Sequence, residues 1–233
     1  MNIEIWSDIM CPFCYIGKRK LEAALQQFPA KAAVTLSWRS YQLDPALKQQ
    51  PGKDLYTYLS ERKGISREYS KRLHDQLTMT AKESGLIYNF DRAIIANSFD
   101  AHRLIQFAKK QGLDDAMEEN IFKAYFTEGK NLGDPETLLH LAIETGLDKD
   151  ETRKILASNA YAGEVHNDIA EAEALGIRGV PFFVMNRKYA VSGAQPVDLF
   201  LQTLHTSFKD WEKERPALQA NKGNSCGPDE ECY

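Results

Sequence analysis

Four cysteines in two close pairs are the residues of this chain best suited to chemistry: Cys11 with Cys14, and Cys226 with Cys232. A thiolate, not a thiol, attacks a disulfide, so a reactive cysteine needs surroundings that favour its negative form. Just before the first pair, Asn2-Ile3-Glu4-Ile5-Trp6 alternates polar and apolar residues as a strand does. Just after it, Leu21, Ala24, Leu25 and Phe28 recur at helical spacing. Cys11-Pro12-Phe13-Cys14 therefore falls where a strand hands over to a helix. At a helix start, unpaired N–H groups and the positive end of the macrodipole favour a thiolate. Pro12 fits the first turn, and Cys14 lies one turn deeper on the same side. This placement predicts an exposed attacking thiol at Cys11 and a shielded thiol at Cys14 that resolves a mixed disulfide.

The residues admit two other readings, a zinc half-site or a pair of inert buried cysteines. Zinc needs further ligands at short spacing. His74, His102, His140, His166 and His205 stand singly, and five residues separate Cys226 from Cys232. No metal is expected on these spacings, and a C-x-x-C at such a junction reads as a redox pair.

Three other features sit around this chemistry. Gly179-Val180-Pro181 directly precedes the apolar run Phe182-Phe183-Val184-Met185, and Pro at a strand's first position costs the ladder nothing. Residue type alone leaves Pro181 as a trans proline in an ordinary turn. Asp8 fits either a group that polarises the Cys11 loop or a local hydrogen-bond acceptor. Cys226-Gly-Pro-Asp-Glu-Glu-Cys232 has turn residues between its thiols, so an internal disulfide is sterically reasonable. At about 3.3–3.6 Å per extended residue, the chain after Trp211 is long enough to reach Cys11. A redox relay through Cys226 and Cys232 and an idle surface pair both remain open.

The elements that must position these groups are legible from periodicity. Val34, Leu36 and Trp38 alternate with polar residues, giving a second strand to about Tyr41. Strand, helix and strand form a βαβ unit with parallel strands. From about residue 51 to 175 helical stripes follow one another, among them Ala101, Leu104, Ile105 and Ala108, then Ile121, Phe122, Tyr125 and Phe126. Asp134-Pro135 and Asp148 with Glu151 mark helix starts, while Gly112 and Gly176 mark ends. A hairpin turning at Asn186-Arg187 and a helix through Val197, Phe200, Leu201, Leu204 and Phe208 close the pattern. The expected organisation is a domain of residues 1–50 and 176–212, an all-helical insertion over 51–175, and a flexible cysteine-bearing tail over 213–233.

Composition narrows the function. The 233 residues are 43% hydrophobic and 27% charged, as in a globular protein. Lys and Arg number 29 against 33 Asp and Glu, so no basic field exists to collect phosphates, and nucleic acid is not expected as a partner. Glu4 stands where a secretory signal would carry Lys or Arg, and no apolar run approaches the roughly 20 residues that span a bilayer. A soluble, cytoplasmic protein without a membrane partner is the expectation.

Three segments together resemble the DsbA family of thiol-disulfide oxidoreductases, in its FrnE-like branch: Trp6-Ser7-Asp8-Ile9-Met10-Cys11-Pro12-Phe13-Cys14, Asn97-Ser98-Phe99-Asp100-Ala101-His102-Arg103-Leu104, and Ala174-Leu175-Gly176-Ile177-Arg178-Gly179-Val180-Pro181-Phe182-Phe183. The resemblance covers about residues 1–210. It implies an α/β thioredoxin fold interrupted by the helical insertion. It also implies exchange of a Cys11–Cys14 dithiol with disulfide-containing proteins or small thiols. Cys11 becomes the nucleophile, Cys14 the resolving thiol, and Pro181 a cis-proline facing them; Pro12, Phe13 and Val180 become substrate contacts. Phe13 stands where the oxidising periplasmic members carry His, which implies a milder redox poise. The superfamily also contains glutathione-dependent enzymes, 2-hydroxychromene-2-carboxylate isomerase and the kappa-class glutathione transferases. A glutathione-dependent isomerase or transferase is therefore the alternative, and a chaperone-like binding module a third reading. Dithiol exchange needs no organic cofactor, with glutathione admitted as a co-substrate, and either a monomer or a homodimer is compatible. Asn97, His102 and Arg103 match the family pattern without an assignable reaction; the residues alone suggest a helix cap at Asn97 and packing or pairing at the other two where insertion meets core.

Overall fold

The computed structural model describes residues 1–48 and 52–214. Strand β1 (Asn2–Ser7) leads into helix α1 (Pro12–Gln27), and β2 (Thr35–Ser40) returns parallel to β1 with Ile3 beside Leu36. The chain then runs through α2 (Leu55–Lys63), α3 (Arg67–Glu83), α4 (Phe99–Lys110), α5 (Asp114–Phe122), α6 (Pro135–Thr145), α7 (Lys149–Leu156) and α8 (Ala162–Ala174). Among the described residues no strand interrupts this helical stretch. It re-enters the sheet as β3 (Phe182–Met185), antiparallel to β1, then makes β4 (Tyr189–Ser192) and ends in α9 (Val197–Glu214). The sheet order is β2-β1-β3-β4, an α/β thioredoxin-like arrangement with helices inserted between β2 and β3.

β1 is central in this sheet, and five of its six residues are buried. Its period-2 alternation sends Ile3 and Ile5 into the larger core with Phe183, Phe200 and Leu204, the last two from α9. Trp6 joins Ala172 and Ile177 on the opposite face, and its indole N–H donates to the Asp168 carbonyl on α8 at 2.9 Å. The hairpin turn is Asn186-Arg187, with φ of 51° and 56° at the two residues, the left-handed pair that a two-residue turn between twisted strands requires. Asp134 caps α6 with Pro135 at its first position, and Asp148 caps α7 by accepting from the Glu151 N–H.

The stripe Ile121, Phe122, Tyr125, Phe126 does not continue as α-helix. Lys123–Glu128 is a π-helical segment ending at Gly129. At its end the Asn89 N–H donates to the Phe126 carbonyl at 2.7 Å and the Asn89 side chain donates to the Thr127 carbonyl, which satisfies carbonyls that the last turn leaves unpaired. Tyr15 of α1 stacks on Phe122 at the end of α5 at 4.9 Å and on Phe126 of the π-helical segment at 6.4 Å. Buried Lys18 adds ion pairs to Asp115 and Glu119 of α5, both at 3.2 Å. The helical segment thus grips the helix that carries the cysteines. No helix among the described residues is long and apolar enough to cross a membrane.

Candidate active site

Cys11 is the N-cap residue of α1, with Pro12 in the first helical turn. Its sulfur therefore sits at the end of the helix where unpaired N–H groups favour negative charge. The turn before it is fixed by Asp8. The Asp8 carbonyl accepts from the Cys11 N–H at 2.9 Å, and its carboxylate accepts from the N–H groups of Met10 at 3.2 Å and Leu43 at 2.7 Å. Asp8 thus acts as a local acceptor that also ties this turn to the segment after β2. Tyr88, between α3 and α4, donates its hydroxyl to the Pro12 carbonyl in the first turn of α1 at 2.6 Å.

The Val180–Pro181 peptide bond is cis, and the Val180 carbonyl accepts from the Cys11 thiol at 3.5 Å. The loop before β3 and the start of α1 therefore meet at one sulfur. Gly17 makes the close approach feasible: a Cβ built there would lie 3.0 Å from the Pro181 ring and 3.1 Å from Phe183. Alanine usually favours a helix over glycine by about 1 kcal/mol, but here it must displace two packed rings. Gly17→Ala is expected to destabilise the protein by about 1–2 kcal/mol, as overpacked cores do. Urea unfolding of the two proteins checks this, and a stabilised variant would contradict the contact.

Both thiols are free, and the expectation of an exposed Cys11 is corrected: Cys11 is 4% exposed and Cys14 is 1% exposed. Part of the cover is the Val180 backbone, whose carbonyl lies against the thiol. Cys11 is instead part of the lining of a cavity of about 600 Å³, together with Pro12 and the half-exposed Phe13. Burial, foremost, pushes the Cys14 thiol well above its ordinary value, reinforced by its hydrogen bond with Cys11. Cys14 thus stays protonated until something accepts its proton.

Such a group is present beneath it. Ser7 and the Asp8 backbone pull the Cys14 thiol back toward its ordinary value. Ser7 also donates to the Glu118 carboxylate at 2.7 Å. Glu118 is fully enclosed, and burial pushes its pKa up to about 7, against the opposing pull of His102, the Ser7 hydrogen bond and Lys18. Cys14, Ser7 and Glu118 are all buried, and Ser7 is the group that acts on the Cys14 thiol and donates to the Glu118 carboxylate. The sequence did carry a signal for Glu118: it occupies the apolar stripe of α5, three and four residues before Ile121 and Phe122, where a carboxylate does not belong without a purpose.

Of the residues in the second matching segment, Ser98 lines the same cavity as Cys11, and His102 places its Nε2 3.6 Å from the Asp8 carboxylate. Asn97 accepts from the Phe99 N–H at 2.9 Å, so it caps the first turn of α4, and it donates to the carbonyls of Pro45 and Leu47. Arg103 has hydrogen-bond partners that all lie in the helical stretch between β2 and β3. It donates to the carbonyls of Ala160, Ile155 and Ser158 and pairs with Asp100, closing the end of α7. Cys226 and Cys232 lie outside the described residues. Among the described residues, no three His, Cys, Asp or Glu side chains gather as a metal ion would need.

Residues 2–205 match the family described as DSBA-like thioredoxin domain. The probable DsbA oxidoreductase SCO1869 from Streptomyces coelicolor is 39% identical and superposes with a TM-score of 0.86, covering 98% of this chain and 97% of that one. The uncharacterized protein YwbO of Bacillus subtilis is 27% identical over 211 residues, 90% of this chain and 98% of its own length. The cytosolic disulfide reductase DsbM from Pseudomonas aeruginosa, solved with GSH, shares the fold at a TM-score of 0.64 and 19% identity, over 90% of this chain and all of that one.

Proposed function

The chain belongs to the DSBA-like thioredoxin family, and from that membership we propose that it is a thiol-disulfide oxidoreductase working through Cys11 and Cys14. The observation that carries this reading is the placement of Cys11 at the start of α1, its carbonyl accepting from the Cys14 N–H and its thiol donating to the Val180 carbonyl.

In the reducing direction, the Cys11 thiolate attacks one sulfur of a substrate disulfide. That bond breaks, the leaving thiolate takes up a proton, and Cys11 is left in a mixed disulfide. Cys14 then attacks the Cys11 sulfur while its proton passes through Ser7 toward Glu118. The second substrate thiol departs, and the Cys11–Cys14 disulfide holds the two electrons' worth of oxidation that the substrate lost. Oxidation runs the same steps backward. The electrons reside on sulfur throughout, so these steps balance without an organic cofactor or a metal, and glutathione is a candidate for restoring the pair. Pro12, Phe13 and Val180, whose carbonyl accepts from the attacking thiol, are assigned to substrate contact, and Pro181 is assigned with Cys11 and Cys14 to the catalytic set.

Incubating the protein with a disulfide-bonded protein and dithiothreitol tests the activity. The expected result is faster thiol release than with dithiothreitol alone, and equal rates would overturn the reading.

A further inference from the structure

The cavity beside Cys11 is larger and more apolar than exchange between two exposed protein surfaces requires. Its volume of about 600 Å³ is in the range that encloses a small organic molecule. Leu55, Leu59, Leu77, Phe90, Tyr125 and Phe126 supply much of its wall, so α2, α3 and the π-helical segment all contribute. The attacking residue is 4% exposed yet lines this space, which makes the cavity the approach to its sulfur.

One group in the wall points to a ligand. Ser70 on α3 is 1% exposed, lines the cavity, and its hydroxyl has no hydrogen-bond partner. A hydroxyl removed from water is costly unless something pairs with it, and helical serines ordinarily turn back to a carbonyl four residues earlier. One turn along, His74 also lines the cavity. Its Nδ1 lies 2.7 Å from the Ser70 carbonyl, so Nδ1 carries the proton and Nε2 is left with a lone pair. Burial holds this imidazole in its neutral form, which keeps that lone pair available. The α3 wall thus offers a hydroxyl and a ring nitrogen within an otherwise aliphatic and aromatic enclosure.

We propose that this cavity binds a small, largely apolar disulfide or thiol with one hydroxyl-type group, which pairs with Ser70 while its sulfur meets Cys11. This deepens the oxidoreductase reading and rests on it. The bound disulfide R–S–S–R is attacked by Cys11, RS⁻ leaves and is protonated, and Cys14 then releases the second RSH as Cys11–Cys14 oxidises. Glutathione suits the wall less well. It brings two carboxylates and an ammonium group, whereas of the two cations in the lining, Arg62 is already paired with Asp44.

The experiment compares the full chain, reduced, against three disulfides: bis[2-(4-hydroxyphenyl)ethyl] disulfide, bis(2-hydroxyethyl) disulfide and glutathione disulfide. Each rate is divided by that of dithiothreitol with the same compound, which removes intrinsic reactivity. The hydroxyphenyl compound is expected to exceed the other two by about tenfold or more, the gain from burying its ring, and to show saturation. Leu77→Trp, which fills the cavity, should collapse that ratio. Ser70→Ala should lower the preference for the hydroxyphenyl compound over its phenyl analogue. Equal normalised rates in the unmodified protein would overturn the cavity assignment even if Leu77→Trp failed to fold. Rates no greater than a simple thiol's with all three disulfides would instead sink the oxidoreductase reading itself.

Discussion

Replacing Cys11 by Ser is expected to lower disulfide exchange by about a thousandfold or more, because an unactivated hydroxyl is a poor substitute for a thiolate. Cys14 does not rescue the variant. It is 1% exposed and burial keeps its thiol protonated, so it neither meets a substrate nor carries the charge needed to attack one. Cys14→Ser is expected to fail differently: Cys11 still attacks, and the reaction halts at the mixed disulfide. Mass spectrometry of the quenched protein distinguishes the two, since Cys14→Ser should carry one substrate adduct at Cys11 while Cys11→Ser carries none. An adduct on Cys14 in the Cys11→Ser protein would reverse the assignment. Full turnover by Cys14→Ser would remove the dithiol mechanism and favour a glutathione-dependent reaction.

Glu118→Gln is expected to change how stability depends on pH. The Glu118 carboxyl is pushed up to about 7 in the folded protein, whereas an unfolded glutamate ionises near 4.3. Between those values the folded chain holds a proton that the unfolded chain has released. Stability therefore falls as pH rises through this window, by up to about 3 kcal/mol from this group alone. Glutamine has no proton to lose and can still accept from Ser7. Relative to the parent, Glu118→Gln should thus gain about 3 kcal/mol between pH 4 and pH 8, read from urea unfolding of the reduced proteins at both pH values. A difference that does not change with pH would show that Glu118 is not a buried acid. The same variant should slow the second exchange step more than the first, because Cys14 loses its proton acceptor while Cys11 does not depend on it.

Legibility in the sequence followed the range of the interactions. The βαβ unit, the hairpin at Asn186-Arg187 and the caps at Asp134 and Asp148 were readable because their causes lie within a few residues. The placement of Cys11 and Cys14 at the start of α1 was readable for the same reason. The cover over Cys11 was not, because part of it comes from Val180, far along the chain. Glu118 reaches the site through Ser7 across an α5–β1 contact that no local pattern encodes, although its position on an apolar stripe marked it as unusual. The cavity escaped notice because it is a shape made by α1, α2, α3 and the π-helical segment together. The π-helical segment has its last carbonyls paired by Asn89, which lies far earlier in the chain.

The central claim is that Cys11 and Cys14 form one reversible two-electron couple. Equilibrating the protein in glutathione buffers of graded potential, then alkylating the free thiols and mapping the peptides, tests it most directly. The expected result is a single transition in which Cys11 and Cys14 lose alkylation together and appear as one disulfide-linked peptide pair. Its midpoint, set against a cytosolic poise of about −220 to −320 mV, would give the direction of exchange. If Cys11 and Cys14 never bond to each other at any potential, the account is contradicted.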